Sequence, residues 1–127
     1  MNVLLIDGRP EVRAELKRCL AAVGINAIES DTGNEALLLT WRYKIAAIIT
    51  DIGHDDSVNL TLLQHTKELE PRMPMFLLLY PRTTAGGLAK YVPNDRIYLH
   101  PYDPEEVAQA VYLACLRFIK DRDGDPS

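Results

Sequence analysis

Long apolar runs are missing from this chain. None exceeds Ala110–Leu116 (AVYLACL), far short of the roughly 20 residues that a membrane-spanning helix needs. A basic surplus is missing too. Against 14 Lys and Arg stand 18 Asp and Glu, a net charge of −4, the wrong sign for a nucleic-acid or anionic-membrane surface. Cysteine is scarce: Cys19 and Cys115 lie in separate helical patterns and read as two thiols, not a disulfide framework. No glycine-rich phosphate loop occurs, since Gly86-Gly87 lacks the spacing of one. Met1-Asn2-Val3 leads into a strand and not a signal peptide, so the expected location is cytoplasmic. What is present is 127 residues, 47% hydrophobic and 25% charged, enough for one domain with a proper core.

Short apolar runs alternate with segments of helical period. Asn2 to Ile6 (NVLLI) reads as a buried strand with Asp7-Gly8 at its tip. Pro10 suits the first turn of a helix and Glu11 its positive end. Val12, Leu16, Cys19, Leu20 and Val23 then repeat at helical spacing until Gly24 stops the helix. A second strand is expected over Ile25 to Glu29, then a helix from about Gly33 to Tyr43 capped by Ser30-Asp31-Thr32. Lys44 to Asp51 (KIAAIITD) is a third strand, β-branched and apolar enough to be buried on both faces.

A polar loop, Gly53 to Ser57, precedes a helix carrying Leu60, Leu62, Leu63, Thr66 and Leu69, which Pro71 and Pro74 end. Met75 to Leu79 (MFLLL) is the fourth strand. Thr83 to Tyr91 is expected to be the weakest helix, because Gly86 and Gly87 each cost about 1 kcal/mol relative to alanine and Pro93 cuts it short. Arg96 to Leu99 is the fifth strand, ending on His100-Pro101. Asp103-Pro104-Glu105-Glu106 opens a last helix reaching about Lys120. The expected domain is therefore 1–120, with 121–127 a polar tail or linker. This alternation predicts an α/β fold, a parallel sheet with helices on both faces.

Asp51 is the residue to follow. In open parallel sheets, ligands gather beyond the carboxyl ends of the strands, and Asp51 ends the central one. Around it the chain resembles the receiver domain of two-component response regulators, over essentially its whole length up to Lys120. Asp7 sits at the first of the family's paired N-terminal acids, and Asp51, 44 positions on (51 − 7), at the phosphoacceptor. Pro10-Glu11-Val12-Arg13 is similar to the start of the first receiver helix. Asp31-Thr32-Gly33-Asn34-Glu35-Ala36-Leu37 is similar to the Asp-Gly-x-Glu-Ala-Leu signature, and Leu99-His100-Pro101-Tyr102-Asp103 to the Thr-Lys-Pro-Phe-Asp turn. The resemblance implies a (βα)5 flavodoxin-like three-layer sandwich with strand order 2-1-3-4-5. That order is one the general rule for doubly wound sheets already contains.

The departures define the expected function. The family holds Mg²⁺ with two acids and the phosphoacceptor, and meets the phosphoryl group with a hydroxyl and a lysine. Here the second acid is Gly8, the hydroxyl position is Leu79 and the lysine position is His100, while Ile97 stands at the aromatic switch position. Asp7 and Asp51 remain as a minimal, weak Mg²⁺ set, with Asp55 or Asp56 available to lean in. A preorganised charge at a developing anion is commonly worth roughly 2.7–4 kcal/mol. Leu79 donates nothing and His100 carries charge only when protonated.

The expectation is a degenerate receiver, or pseudo-receiver, that signals through protein contacts in a phosphorelay. Its partner would be a histidine kinase, an output domain or itself, with no nucleic acid or membrane involved. A working but atypical phosphoacceptor at Asp51 is the alternative. A small metal- or nucleotide-using enzyme is a third reading, for which a nucleophile, a glycine-rich first turn and a general base are lacking.

The last helix suggests the contact surface. Val107, Ala110, Val111, Ala114 and Phe118 suffice for a core stripe. Ala108, Tyr112, Leu116 and Ile119 extend it beyond what one sheet face covers, so they are expected to form an interface, possible as a homodimer, on the face receivers use. Leu38 and Trp41 could form a second patch, with core packing as their default.

Overall fold

Apolar runs with no polar alternation belong in the interior of a parallel sheet, and here they build one. The computed structural model describes residues 1–6, 10–30, 33–51, 64–80 and 92–123. β1 (Asn2–Ile6), β2 (Asn26–Ser30), β3 (Ile45–Asp51), β4 (Met75–Leu79) and β5 (Ile97–Leu99) pair in parallel in the order β2-β1-β3-β4-β5. β3 is the central strand and is buried at every position. Its register runs Leu4↔Ile48 and Ile6↔Thr50 to β1, and Ile48↔Met75 and Asp51↔Leu78 to β4. The expected fold class and strand order are the observed ones.

Helices α1 (Pro10–Ala22), α2 (Gly33–Arg42), α3 (residues 64–69) and α4 (Pro104–Asp123) accompany the sheet. α1 and α4 pack on each other over one apolar layer, in which Leu16, Leu20, Ile49, Phe76, Val111 and Cys115 are buried. α2 lies against β1 and β2, and Ala36 enters a second layer with Leu4, Ile48 and Leu77. The helix expected from Thr83 to Tyr91 and the loop after Asp51 lie outside the described residues.

Local chemistry sets the boundaries. After α1, Gly24 takes φ +84°. Its N–H donates to the Ala21 carbonyl (3.0 Å) and that of Ile25 to Leu20 (2.9 Å), a Schellman cap that only glycine adopts without strain. That bond holds Ile25 out of the sheet, so β2 starts one residue later than expected. Arg96 N–H donates to the Pro93 carbonyl at 2.9 Å in a short 3-10 turn (Asn94–Arg96), so β5 starts at Ile97. α4 opens with Asp103 Oδ1 accepting from Glu105 N–H at 3.0 Å. It continues beyond Lys120 to Asp123, with Lys120 and Arg122 complementing the negative end of the helix dipole.

Several side chains sit elsewhere than expected. Ala108 is 1% exposed and belongs to the core, because α4 is covered by α1 as well as by the sheet. Tyr112 and Ile119 are half-buried against the same layer. Of the expected arc only Leu116 faces outward, joined by Leu113. On α2, Leu38 and Trp41 are 71% and 72% exposed, which rules out core packing for both. Leu69 on α3 is exposed as well, and His65 is half-buried rather than solvent-facing. Both cysteines are free thiols, and burial pushes that of Cys115 up to about 11.

The two sides of α4 should respond differently to charge. Tyr112→Glu is expected to cost roughly 1–3 kcal/mol of unfolding free energy, whereas Leu116→Glu should stay within about 0.5 kcal/mol of the parent. Urea unfolding followed by circular dichroism measures both, and equal losses would contradict this packing.

Candidate functional site

The carboxyl edge of the sheet is built from three strand ends. β3 delivers Asp51, whose side chain is 3% exposed. β4 delivers Leu79, 6% exposed and part of the α2-side apolar layer. Just past β5, His100 N–H donates to the Leu79 carbonyl at 2.7 Å. This prolongs the β4–β5 ladder by one step and fixes where the His100 side chain begins.

From there the imidazole reaches across β4 to β3. His100 Nε2 lies 2.8 Å from Asp51 Oδ2, with its own side chain 12% exposed. Facing an ionised carboxylate, which only accepts, Nε2 carries the hydrogen and donates it. A carboxylate acceptor makes this a charge-assisted bond, and an imidazolium would make it an ion pair. Tyr80 stacks on the imidazole with ring centroids 4.1 Å apart and planes 9° from parallel, and Tyr102 approaches at 4.9 Å and 60°. The ring is thus held from the side by two aromatics while its edge meets Asp51.

Three strand ends thus put Asp51, Leu79 and His100 at one edge of the sheet, where His100 meets the Asp51 carboxylate with its ring and the Leu79 carbonyl with its backbone. Ile97 is half-buried against the α2-side layer. Asp7, Gly8, His54, Asp55 and Asp56 lie outside the described residues. Tyr80 and Tyr102 were not among the sequence-derived candidates. Their signal was available, since each lies within two residues of a pocket position in the same strand-end turns.

Mg²⁺ demands a near-octahedral set of hard oxygens, usually one or two carboxylates with waters and phosphate. At this edge the described residues place the carboxylate of Asp51, already engaged by an imidazole. No group of three or more His, Cys, Asp or Glu able to hold a metal occurs among the described residues. Asp51 by itself does not complete a Mg²⁺ set, and no chemical step is routed through one.

No family model matches the sequence. The transcriptional regulatory protein GlrR of Escherichia coli (strain K12) is 23% identical over 111 residues, 87% of this chain but 25% of the relative. The chain thus spans about a quarter of the curated relatives it matches. Among solved structures, a signal receiver domain from Vibrio parahaemolyticus superposes with a TM-score of 0.82 at 16% identity, covering 99% of this chain and 98% of that one. The beryllofluoride-activated NtrC4 receiver domain dimer gives 0.77 at 17% identity, covering 92% and 98%.

The fold is that of receiver domains.

In this fold, the chain presents the Asp51 carboxylate to the imidazole of His100. The bond between Asp51 and His100 is measurable. A double-mutant cycle with Asp51→Asn and His100→Ala is expected to return a stabilising coupling of roughly 0.5–3 kcal/mol in urea unfolding. Simple additivity of the two would show that the contact carries nothing.

Proposed function

We propose that this chain is a degenerate response-regulator receiver in a two-component phosphorelay, one that acts by protein contact and not as an enzyme. One observation carries this reading: His100 hydrogen-bonds the Asp51 carboxylate at 2.8 Å within a stack with Tyr80. Phosphoryl acceptance would place a new anion where that bond now lies. The transfer asks little of a protein beyond positioning and charge neutralisation. Leu79 offers no donor there, and the imidazole supplies charge only in its protonated form. Weak Mg²⁺ binding through Asp7 and Asp51 belongs to the same reading, as does a cytoplasmic location. In support of the latter, no helix among the described residues is long and apolar enough to cross a membrane.

The contact surface we assign is the outer side of α4, centred on Leu113 and Leu116, which are 57% and 44% exposed. Leu113 lines a groove of about 380 Å³ with Asp95, Arg96 and Arg117. Of the residues first expected there, Leu116 stays central, Tyr112 and Ile119 contribute their exposed edges, and Ala108 has no part. The partner is a kinase, an output domain or a further receiver. An atypical but working phosphoacceptor is the second reading, favoured by the buried carboxylate at the tip of β3 with a protonatable group beside it.

Acetyl phosphate separates the two. With Mg²⁺ present, intact mass should show no adduct on the parent chain, while Gly8→Asp, Leu79→Thr and His100→Lys combined should recover labelling. Robust labelling of the parent, lost in Asp51→Asn, would falsify the degenerate reading and establish the second. Mg²⁺ itself should shift the Asp51 amide resonance only at multi-millimolar concentration. Saturation below about 1 mM would show that the acidic set is intact.

A further inference from the structure

At the end of the sheet opposite Asp51, a groove of about 410 Å³ opens between the C-terminal ends of α2, α3 and α4 and the entries to β3 and β4. Ile45, Met73 and Phe118 contribute apolar lining. Trp41, on its rim, is 72% exposed, and Leu69 beside it 63%. Leu38 precedes Trp41 by three positions on α2 and so shares its face, at 71% exposure, and Tyr43 adds a further 41%. The apolar area these four side chains leave in water is on the order of 500 Å², near the upper end of the largest patches found on monomers.

We propose that this face receives a second copy of the chain, in a two-fold dimer where Trp41 of each copy seats in the groove of the other. The patch holds both a protruding indole and a cavity, and the cavity is of a size that takes a ring-sized group. A two-fold axis pairs each such feature with its counterpart, which is the requirement for an isologous interface. Doubling the patch removes about 1,000 Å² from water before any polar rim is added, approaching the 1,200–2,000 Å² of stable complexes. Trp and Tyr are also the residues that most often anchor such contacts.

Charge points the same way. The chain as a whole carries −4, which opposes self-association. Around this groove acids and bases nearly balance: Lys44 lies 3.9 Å and Arg122 2.8 Å from the one Asp123, and Arg72 lies 3.5 Å from Glu70. This near-neutral face is one on which two copies of an acidic chain can approach.

Trp41 is the only tryptophan, so it reports its own burial. Sedimentation velocity from about 1 μM to about 1 mM should show a monomer–dimer equilibrium. Over the same range the emission should shift to the blue and acrylamide quenching should fall. Leu69→Glu, or Leu38→Glu should the first variant fold poorly, is expected to weaken association at least about tenfold while Trp41 stays open to the quencher. Leu116→Glu and Asp51→Asn should dimerise like the parent, which keeps this result separate from the reading of the Asp51 site. A monomer at every concentration overturns the proposal, as does a dimer whose Trp41 stays quenchable. Glutamate variants that pair like the parent overturn it too.

Discussion

A carboxylate buried at the end of a fully buried strand is the constraint around which the carboxyl edge is arranged. Removing an ionised carboxylate from water costs several kcal/mol unless hydrogen bonds compensate, and Asp51 is 3% exposed. His100 answers that demand at 2.8 Å. For the imidazole to reach β3 from β5 it must cross β4. The backbone bond to Leu79 and the stack on Tyr80 hold it on that path. On the proposed reading, the same bond also occupies the group that phosphoryl transfer would need.

Among the described residues, the two faces of the sheet are covered by different helices. α1 and α4 lie side by side and bury each other's inner surfaces along with the sheet, which is why Ala108 and Cys115 vanish into the interior. α2 meets β1 and β2 through a narrower stripe centred on Ala36. A small residue at that contact brings the helix close to the sheet, yet Leu38 and Trp41 are turned outward by the helical period. The surplus apolar surface consequently lies on α2 as well as on the last helix, where the sequence pattern alone placed most of it.

The strand pattern was legible because period and composition determine it locally. NVLLI and MFLLL contain no polar residue after the first position of β1, and their boundaries match β1 and β4. At the starts of β2 and β5, which slipped by a residue, a cap or a 3-10 turn had claimed the backbone N–H that the strand would have used; β3 also starts one residue late, at Ile45 and not Lys44. The reading of α4 failed at Ala108 for a different reason. An apolar arc around a helix records how much surface is covered, not whether a sheet or a neighbouring helix covers it.

The sequence by itself determined the alternating α/β pattern and the placing of Asp51, Leu79 and His100 at three strand ends. These follow from residue identity and short-range period, which need no knowledge of long-range contacts. Only the tertiary structure decided that His100 bonds Asp51, that Tyr80 braces it, and that Trp41 stands free beside a groove. Each of those depends on distances between segments tens of residues apart, set by sheet order and register, and no local pattern encodes them.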